Sequence, residues 1–109
     1  MVKRSLDLLI DGHKLWLAQA LLKAAELPII RARSLSNLQR WKDKGTWGAV
    51  YDEWWVIMTN ASDKYLIDIM TGEYDDANRL RQSMPYTGIL DEETRAELLA
   101  RYQEAERLR

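Results

Sequence analysis

The sequence predicts an all-α protein, a single-domain bundle of about five to six helices around a tryptophan-rich centre at residues 47–58. Three observations lead there. Trp47, Val50, Tyr51, Trp54, Ile57 and Met58 follow the i, i+3, i+4, i+7 spacing that places side chains on one helix face, and buried aromatics each remove about 150–250 Å² from water. Alternating runs of β-branched residues, the signature of strands, are missing. Ser5, Pro28, Gly45, Ser62, Gly72, Pro85 and Asp91, all capping or breaking residues, divide the chain into helix-sized pieces.

Length and composition bound the rest. A chain of 109 residues makes one domain, 1–109, which buries roughly 60–70% of its unfolded surface. With 47% apolar and 30% charged residues it is not a disordered chain. Without cysteine, neither a disulfide framework nor a thiolate metal site is available. No apolar run approaches the roughly 20 residues of a membrane helix. Lys3 and Arg4 ahead of Leu6, Leu8, Leu9 and Ile10 open in the manner of a secretory signal. Asp7 and Asp11 interrupt that run, however, and no small-residue cleavage pattern follows, so a cytoplasmic protein is expected.

The net charge of −1 hides an asymmetry. Residues 23–44 carry six basic and two acidic side chains, whereas residues 45–78 carry one basic and seven acidic. Such halves pair internally or steer a partner.

Taken in order, the first helix spans about residues 5–27, capped by Ser5 and stopped by Pro28. One face carries Leu6, Leu9, Ile10, His13, Trp16, Leu17, Ala20, Ala24 and Leu27. On the opposite face Leu8, Leu15 and Leu22 recur every seven residues, with Asp11, Ala18 and Ala25 at the alternate positions, of which the small residues suit close helix approach. Two apolar faces call for contacts on both sides, from the same chain or from a second copy. Gly12 costs this helix about 1 kcal/mol relative to Ala and marks a close contact or a bend. His13, the single histidine, reads as a hydrogen-bonded core residue.

In residues 28–44, Ile29, Ala32, Leu35, Leu38 and Trp41 repeat every third position, which drifts around a helix. A break near Ser34 or Ser36 would resolve this, with Ser36 and Gln39 as a capping box. Read as continuous, the segment lines Arg33, Asn37, Arg40 and Lys44 along its outer side. Thr46 is the expected cap of the central helix, and Trp55 and Val56 fall off its main stripe, where neighbouring helices should wrap them. Ser62 caps a short helix over 63–70 that buries Leu66, Ile69 and Met70 and stops at Gly72. A further short helix spans about 73–83 and ends at Pro85. Ile89 and Leu90 dock into the core before Asp91 caps the last helix, 92–107, whose inward face is Leu98, Leu99, Tyr102 and Ala105.

Candidate chemistry narrows quickly. One histidine and no cysteine cannot build a zinc site, scattered glycines form no phosphate cradle, and the adjacent acidic pairs suit solvated faces. No catalytic residue, cofactor or metal is expected, nor a membrane. The reading is a non-enzymatic interaction or regulatory module, an antitoxin-like or adaptor protein, acting on a protein partner or on a second copy of itself. Leu8, Leu15, Ala18, Leu22 and Trp55 are the candidate interface. The alternative is a nucleic-acid-binding regulator using Arg33, Asn37, Arg40 and Lys44 together with Asn78, Arg81 and Gln82, since Arg reads guanine and Asn or Gln reads adenine. Against it stands a pI of 5.8. For the second cluster the structural reading pairs Asp75 with Arg79 at i+4 and lets Asn78 or Gln82 satisfy backbone near Pro85.

Overall fold

A computed structural model of the chain describes residues 2–108, with side chains from residue 12 onward. The described residues form six helices and no strand: α1 (Val2–Ala24), α2 (Leu27–Asp43), α3 (Ala49–Asn60), α4 (Asp63–Thr71), α5 (Asp75–Arg81) and α6 (Glu92–Leu108). The all-α bundle is therefore present. No described helix is long and apolar enough to cross a membrane.

The first helix meets partners of its own chain on two faces. Ala18 and Leu21 are buried in the core, where α1 packs against α4 and α5. At a different angle of the helix, the His13 ring stacks on Tyr102 of α6 with centroids 4.9 Å apart, and the Arg101 guanidinium lies 4.0 Å above Trp16. A ring stack, not a buried hydrogen bond, thus holds His13. Desolvation, helped by the charge of Lys14, lowers its pKa below the usual 6.5. Among the described residues nothing lies within 4 Å of a Cβ built at Gly12, so none of them makes a close contact that requires glycine.

The second helix is continuous, without a break at Ser34 or Ser36. Its buried residues are Ile30, Ser34, Asn37 and Leu38, which is an ordinary 3.6-residue face with two polar members. Counting only apolar residues produced the false three-residue repeat. Asn37, placed by the sequence pattern on the outer side, is 1% exposed. Ser36 is exposed and caps nothing, and Gln39 instead donates to Asp43 Oδ1 at 3.0 Å. Gly45, at φ +82°, supplies the left-handed residue that ends the segment.

The central helix is shorter at its start than the pattern implied. Gly48 occupies the N-cap position and Thr46 does not. Trp47 precedes the helix and folds back on it: its ring lies 5.5 Å from Tyr51 and its Nε1 donates to Asp52 Oδ1 at 2.9 Å. Trp54 is fully buried, its Nε1 donating to Leu80 O at 2.9 Å and its ring meeting Tyr86 edge-on at 5.7 Å. Ile57, Met58, Leu66, Ile69, Met70 and Leu80 complete the core around it. Trp55 is partly buried against this core, but Val56 is 56% exposed and is not wrapped.

In α4, the Ser62 hydroxyl accepts from the Tyr65 N–H at 3.1 Å, the expected cap. Gly72 ends this helix by close approach: a Cβ there would sit 2.7 Å from Asp68 O and 2.3 Å from the Tyr74 ring. The Asp91 carboxylate caps α6 through the Thr94 N–H at 3.1 Å. No residue of α6 is buried, and Leu99, expected to face inward, is exposed.

Candidate interaction surface

The outer side of α3, α4 and α5 gathers exposed apolar side chains among carboxylates. In α4 the core takes Leu66, Ile69 and Met70, so Tyr65 and Ile67, on the other side of the helix, are 50% and 40% exposed. Shallow hollows join them to their neighbours. One brings Tyr65 together with Val56, Asp52, Glu53 and Asp76. A second joins Tyr65 and Ile67 to Asp68, and a third joins Ile67 to Leu22, Leu27, Pro28 and Asp63. The result is a band from the start of α2 across α4 to α3, with Val56, Tyr65 and Ile67 as its apolar members.

Ion pairs set the shape of this band. Arg79 of α5 donates to both oxygens of Glu53 on α3, each at 2.8 Å, and to Asp76 at 2.8 Å. The expected Asp75–Arg79 pair does not form; Asp76, at i+3, takes its place. Arg79 holds the Glu53 carboxyl below the usual carboxylate range, and the two acids raise the Arg79 pKa. The Tyr74 hydroxyl donates to Asp68 Oδ2 at 2.6 Å, which pushes its pKa up to about 12. Carboxylates thus stand beside the apolar members throughout the band.

Arg31, which sequence reasoning passed over, joins α2 to the other side of the band. Its Nη1 donates to Ile57 O at 3.3 Å and Met58 O at 3.0 Å. Its Nη2 donates to Ala61 O at 2.8 Å and pairs with Asp63 Oδ1 at 3.0 Å. A cation thus caps the C-terminus of α3, the negative end of its dipole. A cation one position after the buried Ile30 was the available signal.

The basic residues singled out from the sequence are dispersed. Asn37 Nδ2 donates to Pro85 O and Thr87 O, each at 2.9 Å, and its Oδ1 accepts from Arg40 at 2.8 Å. Arg33 reaches Thr87 O and Gly88 O at 3.4 Å each. Lys44 is exposed at the end of the helix. In the second cluster Arg81 is 1% exposed and donates to Ile69 O at 2.9 Å and to Asn78 Oδ1. Asn78 is half-buried against it and Gln82 is exposed. The base-reading geometry expected of Asn37 and Arg81 is absent, because both spend their donors on carbonyls inside the protein.

Of the apolar interface candidates, Ala18 belongs to the core and Leu15, Leu22 and Trp55 are half-buried. The side chain of Leu8 lies outside the described residues. Among the described residues no group of three or more His, Cys, Asp or Glu side chains is placed to hold a metal. Compared with protein families, with curated proteins and with solved structures, the chain finds no match.

Proposed function

We propose that this protein is a non-catalytic interaction module that receives a cationic amphipathic segment of a partner protein on the outer face of α3, α4 and α5. The observation that carries the reading is the joining of exposed Val56, Tyr65 and Ile67 by hollows whose rims hold Asp52, Glu53, Asp63, Asp68 and Asp76. Apolar anchors supply affinity at such a surface, and a rim whose carboxylates outnumber the cations Lys23, Lys64, Arg31 and Arg79 steers encounter and selects the partner. Ala18 in the core, and α6 against His13 and Trp16, turn the reading away from self-association through α1. Docking is preferred to catalysis because the single histidine is taken up in a ring stack and Glu53, Asp63 and Asp76 in ion pairs.

The test uses two synthetic 18-residue helical peptides with one leucine face, the other face being all Lys or all Glu. Titrated into labelled protein, the Lys peptide is expected to shift amides around Val56, Tyr65 and Ile67. Its affinity should fall at high salt and should exceed that of the Glu peptide at least tenfold. Ile67→Ser should weaken it without changing the thermal midpoint. Equal affinity for both peptides, or shifts centred on another face, refutes the proposal. Sedimentation without peptide separates it from dimerisation.

A further inference from the structure

A second feature lies away from the acidic band, where the connector between α5 and α6 crosses α1. Met84, Tyr86 and Leu90 lie over Leu17 and Leu21 and enclose, with Arg95 of α6, a cavity of about 200 Å³. Its walls are mostly apolar carbon. The volume corresponds to roughly seven waters at about 30 Å³ each, room for an apolar group of similar heavy-atom count.

The rim is cationic. Arg95 lines the cavity and forms no salt bridge among the described residues. The neighbouring Asp91 feels its field, but that carboxylate is committed to the Thr94 N–H. Gly88, also part of the lining, adopts φ +84°, and the Arg33 guanidinium lies so close that a Cβ at Gly88 would be 2.7 Å from Nη2. Arg33 has no carboxylate either, only the two long contacts to Thr87 O and Gly88 O. Tyr86 contributes its ring to the wall; its hydroxyl is buried on the side of Arg81, with no hydrogen-bond partner among the described residues, and is not a donor to the rim.

We infer that this cavity binds a small amphipathic monocarboxylate, its apolar body against Leu17, Leu21, Met84 and Leu90 and its carboxylate at the rim on Arg95. A guanidinium offers paired N–H donors that match the two oxygens of a carboxylate. An amine of the same length would meet the like charge of Arg95, and an alcohol would leave that guanidinium without an anion.

The experiment titrates octanoate, 1-octanol and octylamine into isotope-labelled protein. Octanoate is expected to give saturable amide shifts at Leu17, Leu21, Gly88 and Leu90, with at least tenfold weaker binding of the alcohol and none of the amine. Arg95→Gln should lower octanoate affinity about tenfold and leave octanol unchanged, the readout that separates anion recognition from a merely greasy cavity. Leu17→Met leaves the cavity open and should retain binding. Leu17→Trp should fill it and abolish binding, with helix content checked by circular dichroism. Absence of saturable shifts in the wild-type protein at these amides overturns the inference. So does equal affinity for octanoate and octanol, or an Arg95→Gln variant that binds octanoate as tightly as wild type. The shifts expected here and those expected at Val56, Tyr65 and Ile67 are on different residues, so this site stands or falls apart from the peptide surface.

Discussion

Replacing Asn37 by Ala is the sharpest test of the way α2 is read here. Asn37 makes two donations at 2.9 Å, one to buried Pro85 O and one to Thr87 O. The Pro85 carbonyl would lose its donor inside the protein, at about 1–3 kcal/mol. Thr87 O keeps Arg33 Nε at 3.4 Å and lies nearer to water, so its loss is smaller, about 0.5–1 kcal/mol. Arg40 is exposed and re-solvates when its acceptor at 2.8 Å disappears, adding little. The sum is about 1.5–4 kcal/mol, or a fall of roughly 6–16 °C in melting temperature at the lower sensitivity expected for a domain of this size. Tryptophan fluorescence in a urea titration should report it, because the freed connector carries Tyr86, whose ring abuts Trp54 at 5.7 Å. Asn37→Asp keeps the size but turns a donor towards two carbonyls into an acceptor, and should destabilise at least as much as Ala. A drop below about 2 °C in either variant refutes the brace. A loss of DNA affinity without loss of stability would instead revive a nucleic-acid role for this residue.

Three further predictions follow from the packing. Gly12→Ala should raise stability by about 1 kcal/mol, since the helix gains propensity and the new methyl group meets nothing within 4 Å; a destabilised variant in urea titration would show a hidden contact. Gly72→Ala should cost about 1–3 kcal/mol, because Tyr74 can swing aside but Asp68 O, at 2.7 Å from the added Cβ, is backbone; a neutral result in the same assay would show that the end of α4 relaxes freely. His13 titrates below 6.5 in the folded protein, so the unfolded chain takes up the proton first as pH falls. The stability contributed by neutral His13 is complete above about pH 6.5 and lost as pH drops through the lower folded value. Urea midpoints measured across this window should decline for the wild type and stay flatter for His13→Phe; parallel curves would remove the effect.

How much of this was legible depended on what each residue contributes to the core. Trp54, Ile57, Met58, Leu66, Ile69 and Met70 announce themselves by apolar spacing, and the structure buries all of them. Ser62 and Asp91 announce helix starts by capping chemistry, and both accept the anticipated backbone N–H. The failures share a cause. Asn37 and Arg81 are polar residues in core positions, and a hydrophobic pattern has no symbol for a polar side chain that is buried because a distant carbonyl needs it. Their partners are 12 to 50 positions away in sequence, so no local window contains both halves of the bond. The error at Trp47 is different: its indole was read as helical because a side chain folding back onto Tyr51 and Asp52 carries the same spacing as one inside the helix.

The buried donors also account for the sign of the outer surface. Helix ends leave carbonyls without intrahelical partners, and here cations from other helices satisfy them. Arg31 covers Ile57 O and Met58 O at the end of α3, and Arg81 covers Ile69 O at the end of α4. Arg33 is laid in the same way on the carbonyls of Thr87 and Gly88. Arg33 and Arg81 are directed at backbone, while Arg31 divides its donors between backbone and Asp63 at the edge of the face formed by α3, α4 and α5. Of the carboxylates of residues 45–78, Glu53, Asp63 and Asp76 pair with Arg79 and Arg31, and Asp52 and Asp68 line the hollows around Val56, Tyr65 and Ile67. The prediction that a cationic amphipathic helix selects that surface is thus tied to the same carbonyl accounting that buries Asn37 and Arg81. Arg31→Met makes the link testable. It should destabilise the end of α3 and strengthen binding of the Lys peptide by freeing Asp63, whereas weaker peptide binding at an unchanged melting temperature would show that the two are unrelated.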